Sequence, residues 1–418
     1  MMRRRRGLVG LSQNLLNPLI LQFPMPDPTQ KPLSVMIVAG EASGDLHAAK
    51  LVRAFRDASG GREVSFFGAA GPLMRAEGVE AVVEADGLSI VGLLEIGRAL
   101  PMFLRTFRTL NRAAGERRPE VAILVDFPDF NLKLAKSLKK RGIKVVYYIS
   151  PQLWAWRKYR IRTIRRAVDL LISILPFEKE WYERQGFRDV EYVGNPLAME
   201  VHPNVPKEEF CEKHGLDPRK PIVALLPGSR GAEIARILPE LIKTGETMRK
   251  RDGSVQFVLA VPAGKRGKID AMRIAVPGWI KMVEGETFDA LKAADAAAIT
   301  SGTATLEAGI IGTPMAIVYK TSTVNYKLLR PLIAVDHFGL INLIAEKRLA
   351  KELIQDDFTP QILADELFRL LGAEVNAEFR RELRAAVDKL GHGGASRRAA
   401  EAILKLLGVS GHQTDHVP

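Results

Sequence analysis

Two glycine-containing turns in the second half of the chain carry residue types suited to binding phosphate. Gly228, Ser229 and Arg230 follow the apolar run 222–226 and precede a helical pattern over 234–248, which predicts a buried strand that enters a helix. The first turn of a helix offers free backbone N–H groups and a favourable dipole to an anion. Gly228 lets a phosphate approach the backbone, and Arg230 can add a bidentate contact.

The second turn has the same context further along the chain. Ser301, Gly302 and Thr303 follow the apolar run 296–299 and open another helical pattern. Each turn alone is explained equally well as an ordinary strand-to-helix turn with good capping residues. The occurrence of both turns in one half of the chain favours a site for a nucleotide diphosphate.

The elements that must position these turns alternate between apolar runs and helical patterns from about residue 34 onward. Continuous apolar runs are typical of parallel strands that are buried on both faces. The predicted strands are 34–39, 64–67, 121–125, 145–149 and 170–174 in the first half and 222–226, 256–261, 280–283, 296–299 and 315–319 in the second. The fold class is therefore α/β, with two Rossmann-like, doubly wound domains facing a cleft.

A proline-containing stretch after Gly194 interrupts the alternation and predicts the domain boundary. We expect a first domain at 34–196, a second at 197–376, and C-terminal helices at 377–408 that pack back on the first domain, followed by a tail at 409–418. Residues 1–33 combine arginines with a broken apolar run and no cleavage site, so we interpret them as a disordered tail, with Met25 as an alternative start.

Composition narrows the class of protein without identifying its partner. Of the 418 residues, 47% are hydrophobic and 26% charged, as in ordinary soluble proteins. The net charge of +13 fits nucleic acid, a membrane surface or a phosphorylated substrate. The single cysteine, Cys211, excludes an internal disulfide, and the seven histidines lack ligand spacing, so no metal site is predicted. No run reaches the roughly 18–20 apolar residues of a spanning helix.

A series of motifs, in family order, resembles the lipid-A-disaccharide synthases among the GT-B glycosyltransferases. The motifs occupy 38–45, 126–131, 150–157, 175–179, 227–233 and 301–307, and the likeness extends to about residue 405. The resemblance implies that UDP-2,3-diacylglucosamine donates its sugar to 2,3-diacylglucosamine 1-phosphate, with inversion, in lipid A biosynthesis. It implies no cofactor and no metal. The alternatives are another GT-B enzyme acting on UDP-GlcNAc-type sugars, such as a 2-epimerase, or a basic nucleic-acid-binding protein.

The implied reaction needs a base for the acceptor hydroxyl and a site that stabilises the departing diphosphate. Asp126 directly follows the strand 121–125 and is the predicted base. Glu41 lies at the corresponding strand end one unit earlier, and it could equally be an acid favoured by the helix dipole. We interpret Asp129 as the N-cap of a helix that begins near Phe130.

The resemblance also assigns residues to the donor. Ser229 and Arg230 would hold the diphosphate. Glu307 would accept the ribose hydroxyls, or could be a solvated helix glutamate. Asn342 matches a family asparagine near the active site, with either substrate or backbone as its partner.

The segment Leu88–Leu110 combines apolar residues with arginines and is the predicted contact with an anionic membrane surface, through Leu104 and Phe107. The alternative is a core-facing helix, and Pro101 is expected to divide the segment into two helices.

A second basic stretch begins at Arg157, directly after the pair Trp154 and Trp156, and continues to Arg166. We expect Trp154, Trp156 and Arg157 to contact the acceptor phosphate or lipid headgroups; the alternative is a solvated basic helix. We expect a cytoplasmic protein that binds peripherally to the inner face of the inner membrane. A homodimer is one possible oligomeric state.

Overall fold

The computed structural model describes residues 31–86, 96–322, 326 and 337–409, and these residues form two parallel α/β domains. In the described part of the first domain, seven strands form one sheet in the order β3-β2-β1-β4-β5-β6-β7. The strands are β1 (Leu33–Ala39), β2 (Val64–Ala70), β3 (Glu80–Glu84), β4 (Val121–Val125), β5 (Lys144–Tyr148), β6 (Leu170–Ser173) and β7 (Val190–Tyr192). All of their pairings are parallel, which requires helical crossovers between them.

Helices cover both faces of this sheet and bury its apolar strands. They are α1 (Ala42–Ala58), α2 (Pro72–Ala76), α3 (Ile96–Arg117), α4 (Pro128–Lys140), α5 (Ile161–Ala167) and α6 (Glu178–Arg184). Two separate apolar clusters, one on each side of the sheet, show that the strands are buried on both faces.

The second domain repeats the arrangement after two connecting helices, α7 (Leu197–Glu200) and α8 (Lys207–His214). Its sheet has the order β10-β9-β8-β11-β12-β13, again entirely parallel in the described residues. The strands are β8 (Ile222–Leu226), β9 (Gln256–Val261), β10 (Ile280–Glu284), β11 (Ala296–Thr300), β12 (Met315–Tyr319) and β13 (Glu352–Ile354). The helices are α9 (Gly231–Arg251), α10 (Arg266–Ala271), α11 (Thr287–Ala293), α12 (Thr303–Ile311), α13 (Leu340–Ala345) and α14 (Pro360–Leu371).

The strand order brings two particular strand ends together in each domain. β1 pairs with β4, with Ala39 opposite Val125, and β8 pairs with β11, with Leu226 opposite Ile299. Chain connections leave in opposite directions from these neighbouring strands, so a crevice opens at their carboxyl ends. The predicted catalytic residues Glu41 and Asp126 and the residues of the two phosphate-type turns follow these same strands.

The predicted fold class is confirmed, and each strand predicted from an apolar run is present with ends that differ by a few residues. The sequence analysis missed β3, β7 and β13, which are short edge strands. β3 is only partly buried, so it lacks the continuous apolar run that identified the central strands. The expected tails fall mainly on 1–30 and 410–418, outside the described residues.

The C-terminal helices divide between the two domains, which corrects the expectation that they all pack back on the first. α15 (Ala373–Val387) packs against α12, α13 and α14, because Phe379, Leu383 and Ala386 join the core of the second domain. α16 (Ala395–Leu406) packs against α1 instead. Arg398 fixes this crossing by donating from Nε and Nη2 to the Val193 carbonyl, at 2.9 and 2.6 Å.

α3 is continuous through Pro101, so the prediction that proline divides this segment is wrong. Pro101 lies in the second turn, where its ring removes one backbone hydrogen bond near the start of the described helix and the later turns are unaffected. Residues 88–95 of the predicted segment lie outside the described residues. None of the helices that the structure describes is both long and apolar enough to cross a bilayer.

Candidate active site

The turn between β8 and α9 leaves backbone N–H groups unused. Gly228 has a φ of +101°, in the left-handed region that favours glycine. α9 begins at Gly231, with Arg230 as an extended N-cap. Within the described ranges, the N–H of Ser229 has no acceptor, and the first N–H groups of a helix have none within the helix. This turn can therefore receive an anion.

The turn between β11 and α12 is fixed beside the first. The Thr300 hydroxyl donates to the Leu226 carbonyl at 2.9 Å, which joins the end of β11 to the end of β8. Ser301 is anchored by its own hydroxyl, which donates to the Phe338 carbonyl at 2.8 Å. Gly302, with a φ of +152°, precedes the first residue of α12. Both turns therefore open at the same edge of the sheet.

These two turns enclose a cavity of about 310 Å³. The predicted nucleotide-site residues that line it are Gly228, Ser229, Arg230, Ser301, Gly302, Thr303 and Glu307. Burial raises the pKa of the Glu307 carboxyl. In the described part of the chain Glu307 accepts no hydrogen bond, so its oxygens can accept hydrogen bonds from a ligand.

Asn342, which the sequence assigned to the donor site with either substrate or backbone as its partner, does not line this cavity, and the contacts in the structure are with protein groups. It is fully buried in α13, where its amide nitrogen donates to the Ala350 carbonyl and to Glu352, at 2.8 and 2.9 Å. Its amide oxygen accepts from the Ala350 N–H at 2.7 Å. Glu352 in turn accepts from the Phe338 N–H, and Phe338 accepts from Ser301. Asn342 thus supports the second turn from behind.

Asp126 lies in a strained turn at the end of β4. Asp126 and Phe127 have φ values of +47° and +50°, which cost about 1–3 kcal/mol each for such residues. The Asp126 carbonyl accepts hydrogen bonds from Asn131 Nδ2 at 2.8 Å and from the Tyr147 hydroxyl at 2.6 Å. The neighbouring glycine, Gly40, is required because a β-carbon there would lie 2.5 Å from the Phe127 ring.

The environment of Asp126 makes its carboxyl more basic. Burial, and secondarily the charge of Glu41, raises the pKa of Asp126 to about 6, against a smaller opposing effect of the Phe127 N–H. Glu41 is the N-cap of α1, but its exposed side chain makes no capping hydrogen bond. Ionised at neutral pH and more basic than an ordinary aspartate, Asp126 can accept a proton from a hydroxyl group.

Asp129 is not an N-cap, contrary to the interpretation from sequence. α4 begins at Pro128 with Phe127 as its N-cap, so Asp129 lies in the first helical turn. Its carboxylate accepts from Arg157 Nη1 at 2.8 Å and also pairs with Arg160. Arg157 additionally lies over the exposed Trp156 ring, 4.3 Å from its centroid. The basic stretch is thus held beside the turn that carries Asp126.

Trp154 is a buried core residue, which corrects its expected contact with acceptor or membrane. Its indole Nε1 donates to Glu178 at 3.0 Å, and its ring meets Phe177 edge to face. Burial raises the pKa of Glu178 to about 7, with hydrogen bonds opposing the shift. The pairing joins two of the motifs noted in the sequence.

On α3, Leu104 and Phe107 have different environments. Leu104 is 46% exposed, and Leu100, one helical turn earlier, is 55% exposed. Phe107 is half-buried and packs edge to face against Phe130 of α4. Phe107 is therefore part of the domain core rather than of a free apolar surface.

Comparison with known proteins identifies the family to which the chain belongs. The family model described as lipid-A-disaccharide synthetase matches residues 35–406. The lipid-A-disaccharide synthase of Geobacter metallireducens is 42% identical over 378 residues, which cover 90% of this chain and 97% of that protein. The chain belongs to the lipid-A-disaccharide synthetase family. The Myxococcus xanthus member is 40% identical over 378 residues, with 90% and 98% coverage. The predicted family and the predicted enzyme class, a hexosyltransferase, are confirmed.

Solved structures with lower identity share the fold. A UDP-GlcNAc 2-epimerase from Neisseria meningitidis bound to UDP-GlcNAc gives a TM-score of 0.58 at 13% identity, covering 90% of this chain and all of that one. A sucrose-phosphate synthase from Thermosynechococcus elongatus gives 0.56 at 14% identity, with 91% and 100% coverage.

Several residues that shape the site were missed from the sequence. Asn131 and Tyr147 hold the Asp126 carbonyl, and Glu233 lines the cavity between the two turns. A signal was available for two of them: Asn131 is a polar residue inside an apolar helix face, and Tyr147 carries a hydroxyl in a buried strand.

Across the described residues, no group of three or more His, Cys, Asp or Glu side chains is placed to hold a metal ion.

The electrostatic coupling between Glu41 and Asp126 gives a direct prediction. Glu41→Gln should lower the pKa of Asp126 below about 6, because it removes a negative charge that disfavours the carboxylate, while burial keeps the pKa above the ordinary value of about 3.9. Carboxyl ¹³C NMR titration of aspartate-labelled protein would measure this, with Asp126→Asn assigning the signal. Glu63→Gln, an exposed change in the same domain, is the matched control. An unchanged pKa in Glu41→Gln would contradict the coupling.

Proposed function

We propose that this chain transfers 2,3-diacylglucosamine from UDP to the 6-hydroxyl of 2,3-diacylglucosamine 1-phosphate, giving the lipid A disaccharide 1-phosphate and UDP. The observation that carries the proposal is the cavity between the two turns, in a member of this family. It combines helix N-termini suited to a diphosphate with a carboxylate that lacks partners in the described chain.

The donor would bind in the second domain through separate contacts for its parts. The diphosphate would lie at the N-termini of α9 and α12, where backbone N–H groups of the Ser229 and Thr303 turns can donate to it. Arg230 would add a charged contact. The Glu307 carboxylate would accept hydrogen bonds from the ribose hydroxyls. It suits this role because it is half-buried and has no other donor among the described residues.

Asp126 would act as the general base, at the carboxyl end of β4 in the first domain. Its carboxylate takes the proton of the acceptor 6-hydroxyl while that oxygen attacks the anomeric carbon and the UDP oxygen leaves from the other face. One C–O bond forms and one breaks, so the anomeric configuration inverts. The raised pKa improves the match between Asp126 and this task at neutral pH. The proposal requires no cofactor and no metal.

The lipid substrates require that the enzyme reach a bilayer surface, and α3 offers a suitable one. Its exposed Leu100 and Leu104 lie on the same helix as the exposed Arg105, Arg108 and Arg112. Apolar side chains flanked by arginines fit the boundary of an anionic membrane. We therefore propose that the enzyme binds a membrane peripherally through α3, with the inner face of the inner membrane as its location.

The proposed reaction is tested with purified protein and both lipid substrates. We expect a disaccharide phosphate and UDP in equal amounts, detected by mass spectrometry and a UDP assay. Asp126→Asn should lower turnover by about 10²–10⁴-fold, the scale of general acid–base catalysis, while UDP affinity is retained. The acid limb of the turnover profile should lie near pH 6 and shift to lower pH in Glu41→Gln. Full turnover by the Asp126→Asn variant would show that Asp126 is not the general base.

Binding of UDP fragments would separate the two parts of the donor site. Arg230→Ala should weaken UDP and pyrophosphate but not uridine, because it removes a charge-assisted contact worth about 1.5–3 kcal/mol. Glu307→Gln should weaken UDP and uridine but not pyrophosphate, because it affects only the ribose contact. Calorimetry with the three ligands on each variant gives the comparison. Equal losses for all ligands would instead indicate a structural role.

Membrane attachment is tested on exposed residues only. Leu100→Ser with Leu104→Ser should reduce sedimentation with anionic liposomes and leave the melting temperature unchanged, since both side chains are exposed. High salt should release part of the bound protein, because each arginine near anionic lipid contributes about 1 kcal/mol. Phe107→Ser is the contrasting variant and should lower the melting temperature. Undiminished sedimentation of the double variant would exclude α3 as the contact.

A further inference from the structure

The carboxylate of Glu233 already lies in the anion-binding turn. Glu233 is in the first turn of α9, and its Oε2 accepts the Arg230 backbone N–H at 3.3 Å. Its Oε1 accepts from Arg230 Nη1 at 3.1 Å. The Glu233 side chain is only 18% exposed, whereas that of Arg230 is 82% exposed. The acid is therefore held inward and the arginine outward.

The position of this carboxylate overlaps the surface that a phosphate would use. A β-carbon at Gly228 would lie 3.0 Å from Glu233 Oε2, so the carboxylate lies directly over the glycine that gives an anion access to the backbone. Among the described residues, the charged side chains that line the cavity are Arg230, Glu233 and Glu307. This described lining therefore carries two acids against one base before any ligand binds.

We propose that Glu233 competes with the ligand diphosphate for this turn and thereby sets how tightly UDP is held. The inference rests on the proposed function of the cavity. In the empty site the Glu233 carboxylate occupies the Arg230 N–H and neutralises its guanidinium. When a diphosphate enters, Glu233 turns away and Arg230 exchanges its carboxylate partner for a phosphate oxygen. Return of the carboxylate favours release of UDP.

An ordinary helix cap would use the same hydrogen bond from Glu233 to the N-cap N–H. The two roles differ in one respect, which is the charge. A capping role requires only an oxygen acceptor, and glutamine supplies that. Competition with a diphosphate depends on the negative charge, because like charges at contact distance repel.

Calorimetric titration of Glu233→Gln with UDP, pyrophosphate and uridine tests the proposal. UDP and pyrophosphate should bind at least about 5-fold more tightly than to the unchanged protein, the effect of two unit charges about 4 Å apart in water. Uridine, which has no phosphate, should bind equally to both. Glu246→Gln, an exposed change on the same helix, is the matched charge control and should alter none of the three affinities.

A double variant extends the test. Arg230→Ala leaves the Glu233 charge unpaired, so adding Glu233→Gln should recover part of the UDP affinity that Arg230→Ala loses. Unchanged or weaker UDP binding by Glu233→Gln would overturn the competition, and weaker binding would mean that Glu233 orients Arg230. If the unchanged protein binds neither UDP nor uridine, the proposed function itself fails, which is a separate result.

Discussion

The arrangement of the site depends on one constraint, the order of strands in an all-parallel sheet. Neighbouring strands whose connections leave in opposite directions open a crevice at their carboxyl ends, and each domain has one such pair, β1 with β4 and β8 with β11. The first pair places Glu41 near Asp126, and the second places the Ser229 turn beside the Thr303 turn. Residues far apart in the chain are thus brought together by backbone pairing alone.

The two domains use their strand ends for different physical purposes. In the second domain the strand ends present backbone groups to the cavity, because a turn and a helix N-terminus leave N–H groups without acceptors. In the first domain the backbone is strained at Asp126 and Phe127, and Asn131, Tyr147 and the space at Gly40 hold it in place. Such strain persists only where surrounding contacts determine the turn. The turns of the second domain thus depend on main-chain geometry, whereas the Asp126 turn depends on particular side chains that hold it in place.

The central strands and the residues after them were predictable, because continuous apolar runs and small residues are local signals. Edge strands such as β3 were not, since they lack those runs. The direction in which a side chain faces was also beyond local reasoning. Trp154 and Asn342 are residue types that often bind ligands, yet their side chains hydrogen-bond to other parts of the protein. Trp154 donates to Glu178 of α6, and Asn342 donates to the Ala350 carbonyl beyond the end of its own helix. No spacing rule indicates such partners before the fold is known.

The distribution of charge shows why net charge is a poor guide to the site. The chain carries +13, yet the described residues that line the cavity between the two turns include two glutamates and one arginine. If the cavity binds a diphosphate as proposed, the described lining favours a main contribution from oriented backbone N–H groups, which do not titrate. Under the proposed function, such a site would hold a diphosphate without an excess of cationic side chains in the described lining, and the departing UDP would meet carboxylates. Exposed arginines on α3 remain available for an anionic surface outside the cavity.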